Sequence, residues 1–193
     1  MFVITKGMHA DAVQAIGSAD GGLADDVIQR DREVDRLYWL IARQANIILH
    51  YPRYGEKISF PITRVMVFYQ TARIIERIAD HAVVIAKSLR QTNMEEITPE
   101  TAEAIRTASE ESMQVFEKSI ATFFSYDLKK ANSIIELVYQ NKDTFHAINT
   151  DILQLPTGIA IFIRKISDSI RRVEEYSADI AELVINYEMS MSE

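Results

Sequence analysis

Val27, Val34, Tyr38, Ile41, Ala45 and Ile48 return in alternating steps of four and three, and Asp31 holds the remaining place in the series. A seam sustained over three heptads describes a long helix packed along its length against antiparallel neighbours. The 193 residues include only 6 Gly and 4 Pro. That is too few for the many tight turns of an all-β fold, and it favours long helices with few connections.

Six long helices follow from the same periodicity. The first is expected over about 3–18, broken by "SADGG", where Gly21 and Gly22 supply turn freedom. The second runs over about 23–50 and is stopped by Pro52 and Gly55, with 51–60 as a loop. The third starts at Pro61 and ends near Arg90. It carries two apolar stripes, one through Phe68, Ile75, Ile78, Ala82, Ile85 and Leu89, the other through Val65, Tyr69, Ala72, Ala79 and Val83. So broad an arc predicts more than one neighbour. After a loop, Thr98 is the expected N-cap of a fourth helix, with Pro99 in its first turn, running to about Phe124. A fifth is expected over 128–155, with Ile134, Val138, Phe145, Ile148, Ile152 and Leu155 inward. After the "LPTG" turn, a sixth is expected over 159–187, with Ile163, Ile166, Ile170, Val173, Ile180 and Val184 inward.

The order of three helices, loop, three helices points to an all-α tandem repeat, 1–90 followed by 98–190. "DGGLADDVIQ" (20–29) aligns with "DLKKANSIIE" (127–136), and "IIERIADHAVVIA" (74–86) with "SIRRVEEYSADIA" (169–181). In this register the fourth helix extends about nine residues further upstream than the first. The first helix therefore reads as cut short, and a preceding N-terminal domain is expected.

A hydrophobic content of 48% and a charged content of 25% are those of a soluble globular chain. The net charge of −7 argues against bulk electrostatic binding to nucleic acid and predicts repulsion from anionic lipid. No Cys is present, no apolar run is long enough to span a bilayer, and the N-terminus lacks a signal-peptide pattern. A cytoplasmic protein is the simplest expectation.

Four carboxylates stand out. Asp31 and Asp35 lie four apart on the second helix, and Glu76 and Asp80 four apart on the third. Each spacing puts a pair on one helix face. Both pairs lie at or beside the apolar seams of helices expected to be antiparallel neighbours, so they are expected to face each other across one groove. Acidic pairs at this spacing are common on solvated faces, but a solvated face needs no seam position. Four converging carboxylates repel unless neutralised. Two remedies are open: arginines, with Arg73 and Arg77 on the same helix and Arg30 and Arg32 beside Asp31, or a cation. All-oxygen ligands suit Mg²⁺, Mn²⁺ or iron, and facing helices of a bundle are a recurring way to build such a site. A di-iron oxidase would need Glu-x-x-His pairs. None surrounds His81, and His9, His50 and His146 are likewise unaccompanied. No Ser/His/Asp spacing, glycine-rich phosphate loop or Walker-type Lys is present.

"ARIIERIADHAVVIA" (72–86) resembles the signature run of PhoU-type phosphate uptake regulators, and "RDREVDRLYWLI" (30–41) resembles their partner helix with its Asp-x-x-x-Asp face. The likeness extends over nearly the whole chain. It implies a six-helix, up-down bundle of two three-helix repeats in a non-enzymatic cytoplasmic regulator, often a homodimer. Such regulators link the phosphate ABC transporter ATPase to a sensor kinase and repress phosphate uptake genes when phosphate is plentiful. It also implies a metal site on the acidic face, here Asp31, Asp35, Glu76 and Asp80, with iron, manganese, magnesium or zinc as the candidate ion. The second half departs from the pattern: Val138, Lys142, Arg171 and Glu175 stand where Asp31, Asp35, Glu76 and Asp80 stand in the first, so a single site is expected. Some archaeal PhoU proteins resemble this chain and carry an AbrB-like DNA-binding domain in front, which is how DNA would enter. The alternatives are a PhoU-like module of another, cation, transport system, or a metal-dependent enzyme on a helical bundle.

Overall fold

The structure, a computed structural model, describes residues 1–57, 60–91, 97–141 and 155–191. They form α1 (Phe2–Ser18), α2 (Gly21–His50), α3 (Pro52–Lys57), α4 (Ile62–Arg90), α5 (Pro99–Ser125), α6 (Leu128–Gln140) and α7 (Thr157–Met191). The fold is all-helical, a tandem helical bundle. The expected continuation of α6 to residue 155, with Phe145, Ile148 and Ile152, lies outside the described residues, apart from half-buried Leu155.

The α1–α2 and α5–α6 joints are built alike. Ala19 and Tyr126 each close their helix in the left-handed region, both at φ 53°. The next residue, Asp20 or Asp127, caps the following helix. Asp20 accepts from the Leu23 backbone N–H at 3.0 Å, and Asp127 from Lys129 and Lys130 at 3.0 and 3.1 Å. The reversal therefore rests on Ala19 and a capping Asp, not on glycine freedom: Gly21 and Gly22 already lie in the first turn of α2. Thr98 caps α5 as its sequence predicts, accepting from the Thr101 N–H at 3.2 Å.

The stretch expected as a loop at 51–60 contains α3, with Pro52 preset for its first turn. Gly55 is buried there. A Cβ at Gly55 would stand 2.9 Å from Ile48 Cγ2 and 3.0 Å from the Phe60 carbonyl, so glycine serves close packing at this point.

α4 is the central helix. Both of its apolar stripes are occupied, and it packs on α1, α2 and α7. Its C-terminal half joins α1, the start of α2, the start of α5 and the start of α7 in one core around Met8, Val27, Ile85, Ile105 and Ile166. Its N-terminal half joins the end of α5, α6 and the end of α7 around Ile78, Phe116, Ile134, Val173 and Val184.

Residues shifted by 107 between α1 and α5 form reciprocal contacts. His9 meets Ser109, and their counterparts Phe116 and Phe2 meet each other. The two helices therefore run antiparallel. His81 and Tyr176, matched residues of α4 and α7, face each other with ring centroids 5.7 Å apart. The two halves are thus placed about a local two-fold axis.

Candidate metal centre

Asp31 lies half-buried on the α2 seam, one turn from Val27 and Val34, both fully buried. Asp35, a turn on, and Glu76 on α4 are also half-buried, while Asp80 is exposed. The α2–α4 packing brings the two pairs into one electrostatic patch. Burial first, then Asp35 and Asp80, push the Asp31 carboxyl up to about 6, against the pull of Lys87. Burial and then Asp80 raise Glu76, with Arg73 opposing. Burial and then Asp35 raise Asp80, with Arg73, Lys87 and Arg77 opposing. Each shift has the same two causes, lost water and a like charge across or along the groove.

The arginine remedy is partial. Arg30 turns away from Asp31, pairing instead with Asp11 and with Asp26 at 2.9 Å. Arg32 is exposed. Arg73 approaches Glu76 only to 3.7 Å and lies over the Tyr38 ring at 5.3 Å. Arg77 lies over Tyr176 at 5.9 Å. Asp31 Oδ1 and Glu76 Oε2 remain buried without a hydrogen-bond partner. Two orphaned, anionic, buried oxygens on facing helices fit a hard cation in donor chemistry. Among the described residues, no three His, Asp or Glu side chains stand as a ready-made metal cage. The four residues are gathered as neighbours and not as a closed shell.

The matched face of the second half is neutralised from within. Arg171 pairs with Glu175, Arg172 reaches Glu175 at 2.8 Å, and Val138 packs against the core. Lys142 lies outside the described residues.

A further buried acid escaped the sequence reading. Glu174 is only 3% exposed, accepting from Ser112 Oγ at 3.1 Å and Asn141 Nδ2 at 3.3 Å. Burial raises its carboxyl above the usual range against the pull of those two bonds. A signal was present: Ile163, Ser167, Ile170, Glu174, Ser177 and Ala181 alternate by four and three, the same pattern that singled out Asp31. The α7 stripe expected from the sequence follows the larger aliphatic residues and passes Glu174 by.

Residues 1–89 match the family model of the PhoU domain. No curated protein matches the chain in sequence. Among solved structures, the phosphate transport system regulatory protein PhoU from Streptococcus pneumoniae superposes with a TM-score of 0.84 at 19% identity, covering 98% of this chain and 90% of that one. PhoU from Pseudomonas aeruginosa gives 0.81 at 21% identity, covering 98% and 92%. Residues 1–89 thus resemble the PhoU domain in sequence, and the chain as a whole shares the fold of these two PhoU proteins.

Proposed function

We propose that this chain is a non-enzymatic regulator of phosphate transport whose first PhoU repeat carries a cation-responsive carboxylate face. The PhoU domain and the likeness to a phosphate transport regulatory protein support the physiological role. The observation that carries the cation reading is the pair of orphaned buried oxygens, Asp31 Oδ1 and Glu76 Oε2, within a patch where burial and like charges raise the Asp31, Glu76 and Asp80 carboxyls. In this reading residues 1–90 and 98–190 act as tandem repeats of a cytoplasmic homodimer that contacts the phosphate ABC transporter ATPase or its sensor kinase. Asp31, Asp35, Glu76 and Asp80 would hold the ion, which supplies positive charge to the groove and no redox or hydrolytic step. Without it the four acids press α2 and α4 apart; with it they draw the helices together. The patch thereby couples ion binding to the packing of the central helix.

Titration of Mg²⁺ and Mn²⁺ into the full chain tests the ion. Trp39, the single tryptophan, lies one turn from Asp35 and 5.8 Å from the Tyr38 ring, so its fluorescence reports on this face. A cation at about a hundredfold excess over its Kd should add about 2.7 kcal/mol of stability. Asp31→Asn with Glu76→Gln should abolish both the fluorescence change and the added stability. Neither response in the unsubstituted chain would sink the cation reading. Retention on the immobilised transporter ATPase and on its sensor kinase tests the partner separately, and failure to bind either one, with and without cation, would sink the transport role.

A further inference from the structure

The charge of this acidic chain is segregated. Residues 36–73 hold six Arg and Lys against one Glu, which leaves 15 basic against 27 acidic residues in the remainder. This stretch is the outer half of the α2–α3–α4 hairpin: Arg36 and Arg73 lie at its inner limit beside the acidic patch, and Arg53, Lys57 and Arg64 lie at the tip against Glu56. The tip is joined to two other segments at the same end of the bundle. The Arg64 guanidinium lies over Phe60 at 5.4 Å and over Tyr126 of the α5–α6 turn at 5.6 Å. Tyr126 in turn packs on Tyr187 near the end of α7 at 5.0 Å.

Of fourteen large apolar side chains that stand out into solvent among the described residues, eight sit at this end, so the exposure is concentrated and not scattered. Tyr51 (63% exposed) and Tyr54 project from the hairpin tip, Phe124 (68%) from the α5–α6 turn, and Met189 (62%) from α7. Exposed Arg53, Lys57, Lys129 and Lys130 are interspersed with them, while the acids here are exposed Glu56, half-buried Glu188 and Asp127, the last engaged in capping α6 and pairing with Lys130.

We propose that this end docks onto an anionic phospholipid surface. Apolar and aromatic tips raised from three separate segments, with Arg and Lys between them, suit the boundary between headgroups and acyl chains. Basic groups close to an anionic leaflet are attracted to it, and the attraction decays within a Debye length. That decay resolves the apparent conflict with the net charge of −7: end-on docking brings the basic tip within range and leaves the acidic body outside it. Among the described residues no helix is long and apolar enough to cross a membrane, so the contact is peripheral. An acidic protein helix fits less well. The concavity between Pro52 and Thr63 holds about 500 Å³, well short of a groove for a docked helix. The inference is independent of the cation reading.

Co-sedimentation of the full chain with vesicles tests it. The protein should pellet with phosphatidylcholine mixed with phosphatidylglycerol, stay in solution with phosphatidylcholine alone, and be released by added salt. Arg53→Glu with Lys57→Glu should weaken binding at least about tenfold. Arg106→Glu with Arg164→Glu, the same charge change at the other end of the bundle, should leave it intact, with both variants first checked for native helicity and melting. Tyr54→Ser with Phe124→Ser should weaken it several-fold. Absence of binding to the mixed vesicles overturns the proposal, and so does equal loss in the two charge variants. Binding of polyglutamate to this end in place of vesicles would overturn it in favour of an acidic protein partner. A dimer broken by Tyr54→Ser with Phe124→Ser, without vesicle binding, would overturn it in favour of a second copy.

Discussion

The two halves of the molecule bury their polar groups at different depths. In the second half, Ser112, Asn141 and Glu174 form a hydrogen-bonded triad inside the bundle. The matched positions in the first half are Thr5, Val34 and Ala79, all fully buried. Thr5 keeps the hydroxyl but has lost its acceptor, and its Oγ1 is buried without a partner. Conversely, the first half carries acids further out, at Asp31 and Glu76, where the second half has Val138 and an Arg171–Glu175 ion pair. Each half therefore holds an acid-bearing layer that the other lacks. Since both pack the same helices, neither layer is required by the helical packing itself. Glu174 has donors to satisfy it and reads as structural. Asp31 and Glu76 have orphaned oxygens and rising proton affinities, which leaves them available to a ligand.

The largest expected effect tests the structural side of this contrast. Glu174→Ala removes a buried side chain and leaves two donors, Ser112 and Asn141, without their acceptor. The combined cavity and desolvation cost is about 3–4 kcal/mol. Glu174→Gln retains an acceptor oxygen and should cost less than about 1 kcal/mol. Urea unfolding of the two variants decides it: equal losses would mean that the carboxylate charge, and not the triad, holds this layer.

Much of the fold was legible in the sequence because the helices repeat their apolar steps over many turns. The α7 stripe through Ile163 and Val184 is buried as the periodicity requires, and so are the α4 stripes apart from half-buried Phe68 and Tyr69. The joints were less legible, since nothing in the sequence marks Ala19 for the left-handed region, whereas adjacent Gly21 and Gly22 carry the usual turn signal. The candidate site was half legible. Spacing placed Asp31 and Asp35 on one face and Glu76 and Asp80 on another, and α2–α4 packing makes the two pairs neighbours. Which cations serve them was not readable, because Arg30 and Arg32 adjoin Asp31 in sequence while Arg30 reaches Asp11 on another helix. Glu174 was missed for a related reason: its partners lie 62 and 33 residues away, beyond any local spacing rule.

A second contrast separates a matched pair across the local two-fold. His9 and Phe116 occupy equivalent places, yet only His9 can gain a proton. Burial first, then the nearby His81, lower its imidazole from 6.5 to about 4. The neutral ring, bonded to Ser109 at 3.1 Å, is the form the fold holds. The sign follows: the unfolded chain takes up the proton more readily, so this contribution is full above pH 6.5 and is lost as pH falls toward 4. Its total is on the order of 3 kcal/mol. His9→Gln keeps a partner for Ser109 but does not titrate there. Urea melts over this pH range should therefore show a smaller acid loss in His9→Gln than in the unsubstituted chain. Parallel curves would assign the acid sensitivity elsewhere.

Asp31 works in the opposite direction and gives the smallest effect. Its carboxyl is raised from 3.8 to about 6, so the folded state favours the protonated form. That stability is complete below about pH 4 and is lost as pH rises through 6. Asp31 is half-exposed, and solvent screening discounts the effect to about 1 kcal/mol. Asp31→Asn should accordingly stabilise the cation-free protein by about 1 kcal/mol at neutral pH and leave it unchanged at pH 4. Saturating cation should reverse the order, because the ionised carboxylate then gains a counter-charge that asparagine cannot match. Thermal melts with chelator and with excess Mn²⁺ would register the crossing. Stabilisation by Asp31→Asn in both conditions would make the acid a residual cost of the first half and not its working group.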